Sequence, residues 1–141
     1  MTPDAQSMLA AKILGYHAAK QDRMISEDKV FSWRLFDGNG IPRSEFCASE
    51  EAAWNIVSIP AFDTDAKAAL MLVDWMAKNG WFCELANGLD YTWECSFMRA
   101  RTAATKPEDI SGERELHYIP AQTLPLAILG AFIRAKGKEI E

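Results

Sequence analysis

FDTDAKAALMLVDWMAKNG, residues 62–80, runs directly into WFCELA (81–86), NGLD (87–90) and YTWECSFMR (91–99). The stretch reads as one amphipathic helix feeding a β-hairpin, and it decides the fold class. Ala66, Ala69, Leu70, Val73, Met76 and Ala77 recur at helical spacing and define one face. Leu72 and Trp75 widen that stripe, as expected of a helix lying flat on a sheet. Thr64 or Asp63 is placed to cap the start, where a short side-chain oxygen accepts from a free backbone N–H. Asp63 and Asp65 also stand at the positive end of the helix dipole. Asn79-Gly80 ends the helix, because glycine tolerates the left-handed exit. Asn87-Gly88-Leu89-Asp90 then joins two β-type runs.

On the N-terminal side, residues 4 to about 20 read as a first helix with Leu9, Ile13 and Tyr16 on one face. Gly15 weakens its second half. The polar segment 21–29 reads as a connection. Residues 30–37 read as a strand in which Phe31, Trp33 and Leu35 alternate with Ser32, Arg34 and Phe36. Asp37-Gly38-Asn39-Gly40 is a turn. Ser49 can cap a short helix through Ala52, Ala53 and Trp54, and Ile56 to Phe62 reads as extended before and around Pro60.

Residues 101–113 read as a long loop, and Glu115 to Ala121 as a last strand. Thr123 then caps a final helix with Pro125 in its first turn and Leu126, Leu129, Phe132 and Ile133 on its apolar face. Lys136, Gly137 and Lys138 end it.

Short links between consecutive strands imply a small, mainly antiparallel sheet of about four strands. Large apolar groups alternate on both sides: Phe82 opposes Trp81, and Met98 opposes Phe97. The expected fold is α+β, a three-layer α/β/α sandwich with three main helices, in a single domain spanning 1–141. A two-layer arrangement with one solvated face is the alternative.

Length and composition fit that picture. The chain has 141 residues, 49% hydrophobic and 25% charged, enough for a real core and too apolar for disorder. A net charge of -5 argues against general nucleic-acid binding. Three cysteines with no C-x-x-C, and no signal peptide, fit a reducing cytoplasm. No apolar run reaches the ~18 residues of a membrane span.

The order of these pieces resembles the phage ABA sandwich domain. The pieces are Ile13-Leu14-Gly15-Tyr16, Trp33, Pro60-Ala61-Phe62-Asp63-Thr64-Asp65, the helix from Ala66 to Met76, Gly80-Trp81, and Thr123-Leu124-Pro125-Leu126-Ala127-Ile128. The resemblance covers residues 8 to 136. It departs where Asp63 replaces a serine or threonine, and in a longer stretch from Glu45 to Ile59. It implies a small phage or prophage protein with an α/β/α fold, and it carries over no activity and no catalytic residues.

Candidate chemistry is sparse. Cys83, Cys95 and His117 could form a metal site, but the spacing matches no zinc template. Cys47 with His117 would be the only nucleophile and base. Asp63 with Asp65, or Glu84 with Glu94, could pair as carboxylates, although capping and solvated strand positions account for them. Aromatic groups beside arginines suggest a stacking site for a nucleotide-like molecule: Trp33 with Arg34, and Trp93 with Arg99 and Arg101. Core packing explains the same alternation.

The first expectation is an accessory protein that acts without catalysis by binding a protein partner or itself, with no cofactor. A small-molecule binder is second, and a hydrolase or metal-dependent enzyme third.

Overall fold

The computed structural model describes residues 1–25, 28–87, 90, 92–99 and 115–136. The loop expected at 101–113 and the candidate residue Arg101 lie outside them. The fold is mixed α+β with four α-helices among the described residues. Its elements are α1 (Pro3–Ile13), β1 (His17–Ile25), β2 (Asp28–Phe36), α2 (Glu50–Ala53), a 3₁₀ turn (Ile56–Ser58), α3 (Ala66–Lys78), β3 (Trp81–Asn87), β4 (Trp93–Arg99), β5 (Glu115–Ala121) and α4 (Leu124–Lys136).

The first helix stops far short of residue 20. Gly15 sits at φ 96, the Tyr16 amide donates to the Ala11 carbonyl, and the Gly15 amide donates to that of Lys12. These two bonds form a Schellman cap, in which glycine turns the chain out of the helix. Residues 17–25 then form a strand, where the periodicity suggested the rest of a helix and a connection. β1 pairs antiparallel with β2 from His17 opposite Phe36 to Ile25 opposite Asp28.

The five strands therefore divide between two sheets, β1-β2 and β3-β4-β5, instead of forming one sheet of about four. In the second sheet Trp81, Cys83, Cys95 and Phe97 share one face by register. Trp81, Cys95 and Phe97 are buried there, and Cys83 packs against them half-buried. The other face carries Phe82, Glu84, Ala86, Glu94, Ser96 and Met98, none of which is buried. That is the pattern of a sheet packed mainly on one side.

α4 is the central helix, packed on β4, β5, α3 and α1. It buries Pro125, Ala127, Ile128, Leu129, Ala131 and Phe132, more of its circumference than one stripe. Leu126 and Ile133, expected inside with Leu129 and Phe132, are half-buried. Thr123 caps the helix start as expected, its Oγ1 accepting from the Leu126 amide at 3.4 Å. Phe132 meets Trp75 of α3 edge-on, ring centroids 5.8 Å apart.

Two local readings change. The α3 cap is Asp65, whose carboxylate accepts from the Lys67 amide at 3.0 Å, and not Thr64 or Asp63. Ile56–Ser58 forms a 3₁₀ turn started by Asn55, and only Ile59 is extended before Pro60. Ser49 does cap α2, accepting from the Ala52 amide at 3.1 Å.

Candidate functional site

α3 presents two adjoining faces. Ala68, Ala69, Leu72 and Met76 are buried against the core. Lys67, Leu70, Met71, Asp74, Trp75 and Lys78, spaced at i, i+3, i+4, i+7, i+8 and i+11, line an open groove of about 670 Å³. The helical spacing placed Leu70 inside with Ala66, Ala69, Val73, Met76 and Ala77. Instead Leu70 and Met71 are 45% and 46% exposed, and Ala66 and Ala77 are exposed too.

The opposite wall is the α1 exit and the turn after β2: Leu14, Tyr16, Asp37, Gly38, Asn39 and Arg43. Asp37 builds this wall. Its Oδ1 accepts from the amides of Asn39 at 2.9 Å and Ile41 at 3.0 Å. Its Oδ2 accepts from Arg43 Nε at 3.0 Å and Nη2 at 2.7 Å. Partial desolvation pushes the Asp37 carboxyl up. Bonds from the Ile41 amide, Arg43 and the Asn39 amide outweigh it and hold the carboxyl below its ordinary value. The bond to Asp37 raises Arg43 in turn.

The wall is held tightly against α1. A Cβ on Gly38 would lie 2.4 Å from the Leu14 carbonyl oxygen. Tyr16 is buried between, and that burial pushes its phenol above the ordinary value, with Arg43 opposing and Asp37 adding. The phenol is thus a neutral donor at physiological pH.

The lining carries three cations, Arg43, Lys67 and Lys78, and two carboxylates, Asp37 and Asp74. Asp37 is paired with Arg43, and Asp74 with Lys78 at 3.1 Å. Lys67 has no carboxylate partner among the described residues, so the groove is net positive on a net acidic chain.

The residues singled out from the sequence lie elsewhere and apart. Trp33 packs against the core and is bridged to Cys47 by two backbone bonds. Arg34, on the other face of β2, donates from Nε to the Ser44 carbonyl at 2.8 Å and lies 4.7 Å over the Phe46 ring. Trp93 and Arg99 stand at opposite ends of β4, roughly 20 Å apart at strand rise. Arg99 covers the Trp81 ring at 4.9 Å, and Trp93 packs against the core.

Register places Glu84 opposite Ser96 and Glu94 opposite Ala86, so the two carboxylates are diagonal neighbours on the unburied face. Cys83 and Cys95 do share a face, with Sγ atoms 3.9 Å apart. Hydrogen bonding with Cys95 lowers Cys83 against the opposing effects of burial and Glu84. The same bond, with burial, raises Cys95. His117 stands opposite Phe97 in β5. Among the described residues no three His, Cys, Asp or Glu side chains are grouped to hold a metal.

No helix among the described residues is long and apolar enough to cross a membrane. The chain matches no family model, no curated protein and no solved structure.

Periodicity alone misses the groove because it assigns Leu70 inward. The signal is nonetheless present in the sequence: α3 carries more apolar residues than one stripe can bury, and two lysines flank the surplus.

Proposed function

We propose that the chain is an accessory protein of phage or prophage type that acts without catalysis, by binding a protein partner in the groove between α3 and the Asp37–Arg43 turn. The observation that carries this is the exposure of Leu70 and Met71 side by side along a groove of about 670 Å³. Apolar side chains exposed together in a concavity are the usual anchor of a recognition surface. The family resemblance and its three-layer sandwich belong to the same proposal. They are supported by the order of the sequence pieces, and they require a helical layer over the face of β3-β4-β5 that carries Phe82 and Met98.

A photocrosslinking residue placed at Met71 tests the surface. The expected result is a discrete adduct with one partner, lost when Leu70 becomes Asp. The control is the same residue at Val57, which is 83% exposed and away from the groove. Equal labelling from both positions would sink the proposal. Sedimentation of the adduct separates a second copy of this chain from another protein.

A nucleotide-like small molecule is the second reading, because the groove falls in the volume range of small-molecule sites and has Tyr16 and Trp75 in its walls. A thermal-shift panel of nucleotides checks it: a ligand well above its Kd raises Tm by several degrees.

A further inference from the structure

One polar group in the groove, the Tyr16 hydroxyl, makes no bond that holds the fold among the described residues. Tyr16 is 7% exposed and lines the cavity, yet its hydroxyl makes no hydrogen bond to any described residue. The ring is buried while the hydroxyl oxygen itself opens on the groove, where it is available as a donor to an incoming group. The charged groups nearest it are Arg43 and Asp37, and the Asp37 carboxylate is already taken by two amides and Arg43. Arg43 commits Nε and Nη2 to Asp37, and its remaining amino group bonds to no described residue. Lys67 is unpaired among the described residues and gives the lining its net positive charge. With Asp37 and Asp74 already paired, the remaining neutral and cationic donors fit an anionic oxygen.

Beside these donors lie Leu14, Leu70, Met71 and Trp75. The α3 wall, from Lys67 to Lys78, extends roughly 16 Å at helical rise. About five residues of extended chain span that distance.

We infer that the groove recognises an acidic, apolar peptide segment of the partner. An Asp or Glu carboxylate of that segment accepts from the Tyr16 hydroxyl and Arg43, within the field of Lys67, while neighbouring apolar side chains cover Leu70 and Met71. The inference rests on the groove being the partner surface and adds the chemistry that is read there.

Tyr16→Phe makes this testable, because removing a hydroxyl with no partner among the described residues strands none of their polar groups. A random dodecapeptide library displayed on phage is selected against the whole chain, with the Leu70→Asp chain as counter-bait. The expected peptides combine apolar residues with Asp or Glu. A fluorescein-labelled copy of one should lose about tenfold in affinity when its acid is replaced by the amide, and about as much against Tyr16→Phe. Lys67→Met should weaken it less, and more so at low salt. The Tm of Tyr16→Phe should match the parent.

Acid-free peptides, or indifference to Tyr16→Phe, would overturn carboxylate recognition and leave the groove standing as a partner surface. No enrichment, or equal enrichment on the counter-bait, would overturn both.

Discussion

Ser7 illustrates how one atom in this core can be set against its surroundings. It is fully buried in α1, and its Oγ has no hydrogen-bond partner among the described residues. An unpaired buried hydroxyl costs more than it contributes. Ser7→Ala should therefore stabilise the fold by about 1 kcal/mol, read from chemical denaturation. Gly38 is the opposite case. Its would-be Cβ meets the Leu14 carbonyl oxygen, which is backbone and cannot swing aside. Gly38→Ala should cost on the order of 1–3 kcal/mol by overpacking, and it should separate the turn from α1.

Asp37 gives a residue-scale pH effect. Its folded carboxyl lies below the ordinary value, so folding favours the ionised form. That contribution is complete above the unfolded carboxylate value, about 4, and is lost as pH falls through the lower folded value. The Tm gap between the parent and Asp37→Ala should be full at neutral pH and close as the pH falls from about 5 to below the folded value. At neutral pH the substitution should cost about 1–2 kcal/mol, since two amides and Arg43 lose their acceptor.

At the scale of elements, α3 and the β3-β4 hairpin make separate predictions. Leu72→Ala removes a fully buried side chain and should cost about 2–5 kcal/mol, the usual extent for a core leucine. Leu70→Asp lies on the groove face and should change stability by less than about 0.5 kcal/mol. A denaturation series in which Leu70→Asp is as costly as Leu72→Ala would contradict the assignment of faces. In the hairpin, Cys95 is buried with its Sγ 3.9 Å from that of the half-buried Cys83, and burial with this contact pushes the Cys95 thiol up. Iodoacetamide should reach Cys83 first and Cys95 only as the sheet opens, which peptide mapping against time would show.

The element scale also shows what patterning can and cannot resolve. Turn chemistry was legible: the Asp37-Gly38-Asn39-Gly40 turn, the Ser49 cap and the Asn79-Gly80 exit all form, with Gly80 at φ 87. β1 was not legible. HAAKQDRMI has little β-branched or aromatic content, and its alanines and charges suit a helix as well as a strand. Gly15 was the one clue, since a left-handed glycine ends a helix where periodicity alone would continue it.

For the whole molecule, the core is one cluster that joins all four helices to both sheets, through Leu35, Ala53, Phe62, Leu72, Phe97 and Phe132 among others. Phe132 is fully buried in it, on the helix that touches α1, α3, β4 and β5. Phe132→Ala should cost about 3–5 kcal/mol and shift the single unfolding transition as a whole. The candidate site depends on the same assembly, because its two walls come from residues 14–43 and 67–78, which only the packed core brings together.

Local structure was written in the residues themselves: α3 with its hairpin, α4 with its cap, and the α+β class. Capping oxygens, left-handed glycines and alternating side chains act over a few residues, so their effects are readable locally. Tertiary packing settled which face of α3 is buried, how the strands divide into sheets, and that Tyr16, Arg43 and Lys67 line one groove. α3 has more apolar residues than its core contact can cover. Which of them remain exposed depends on the shape of α4 and the Asp37–Arg43 turn, elements distant in sequence.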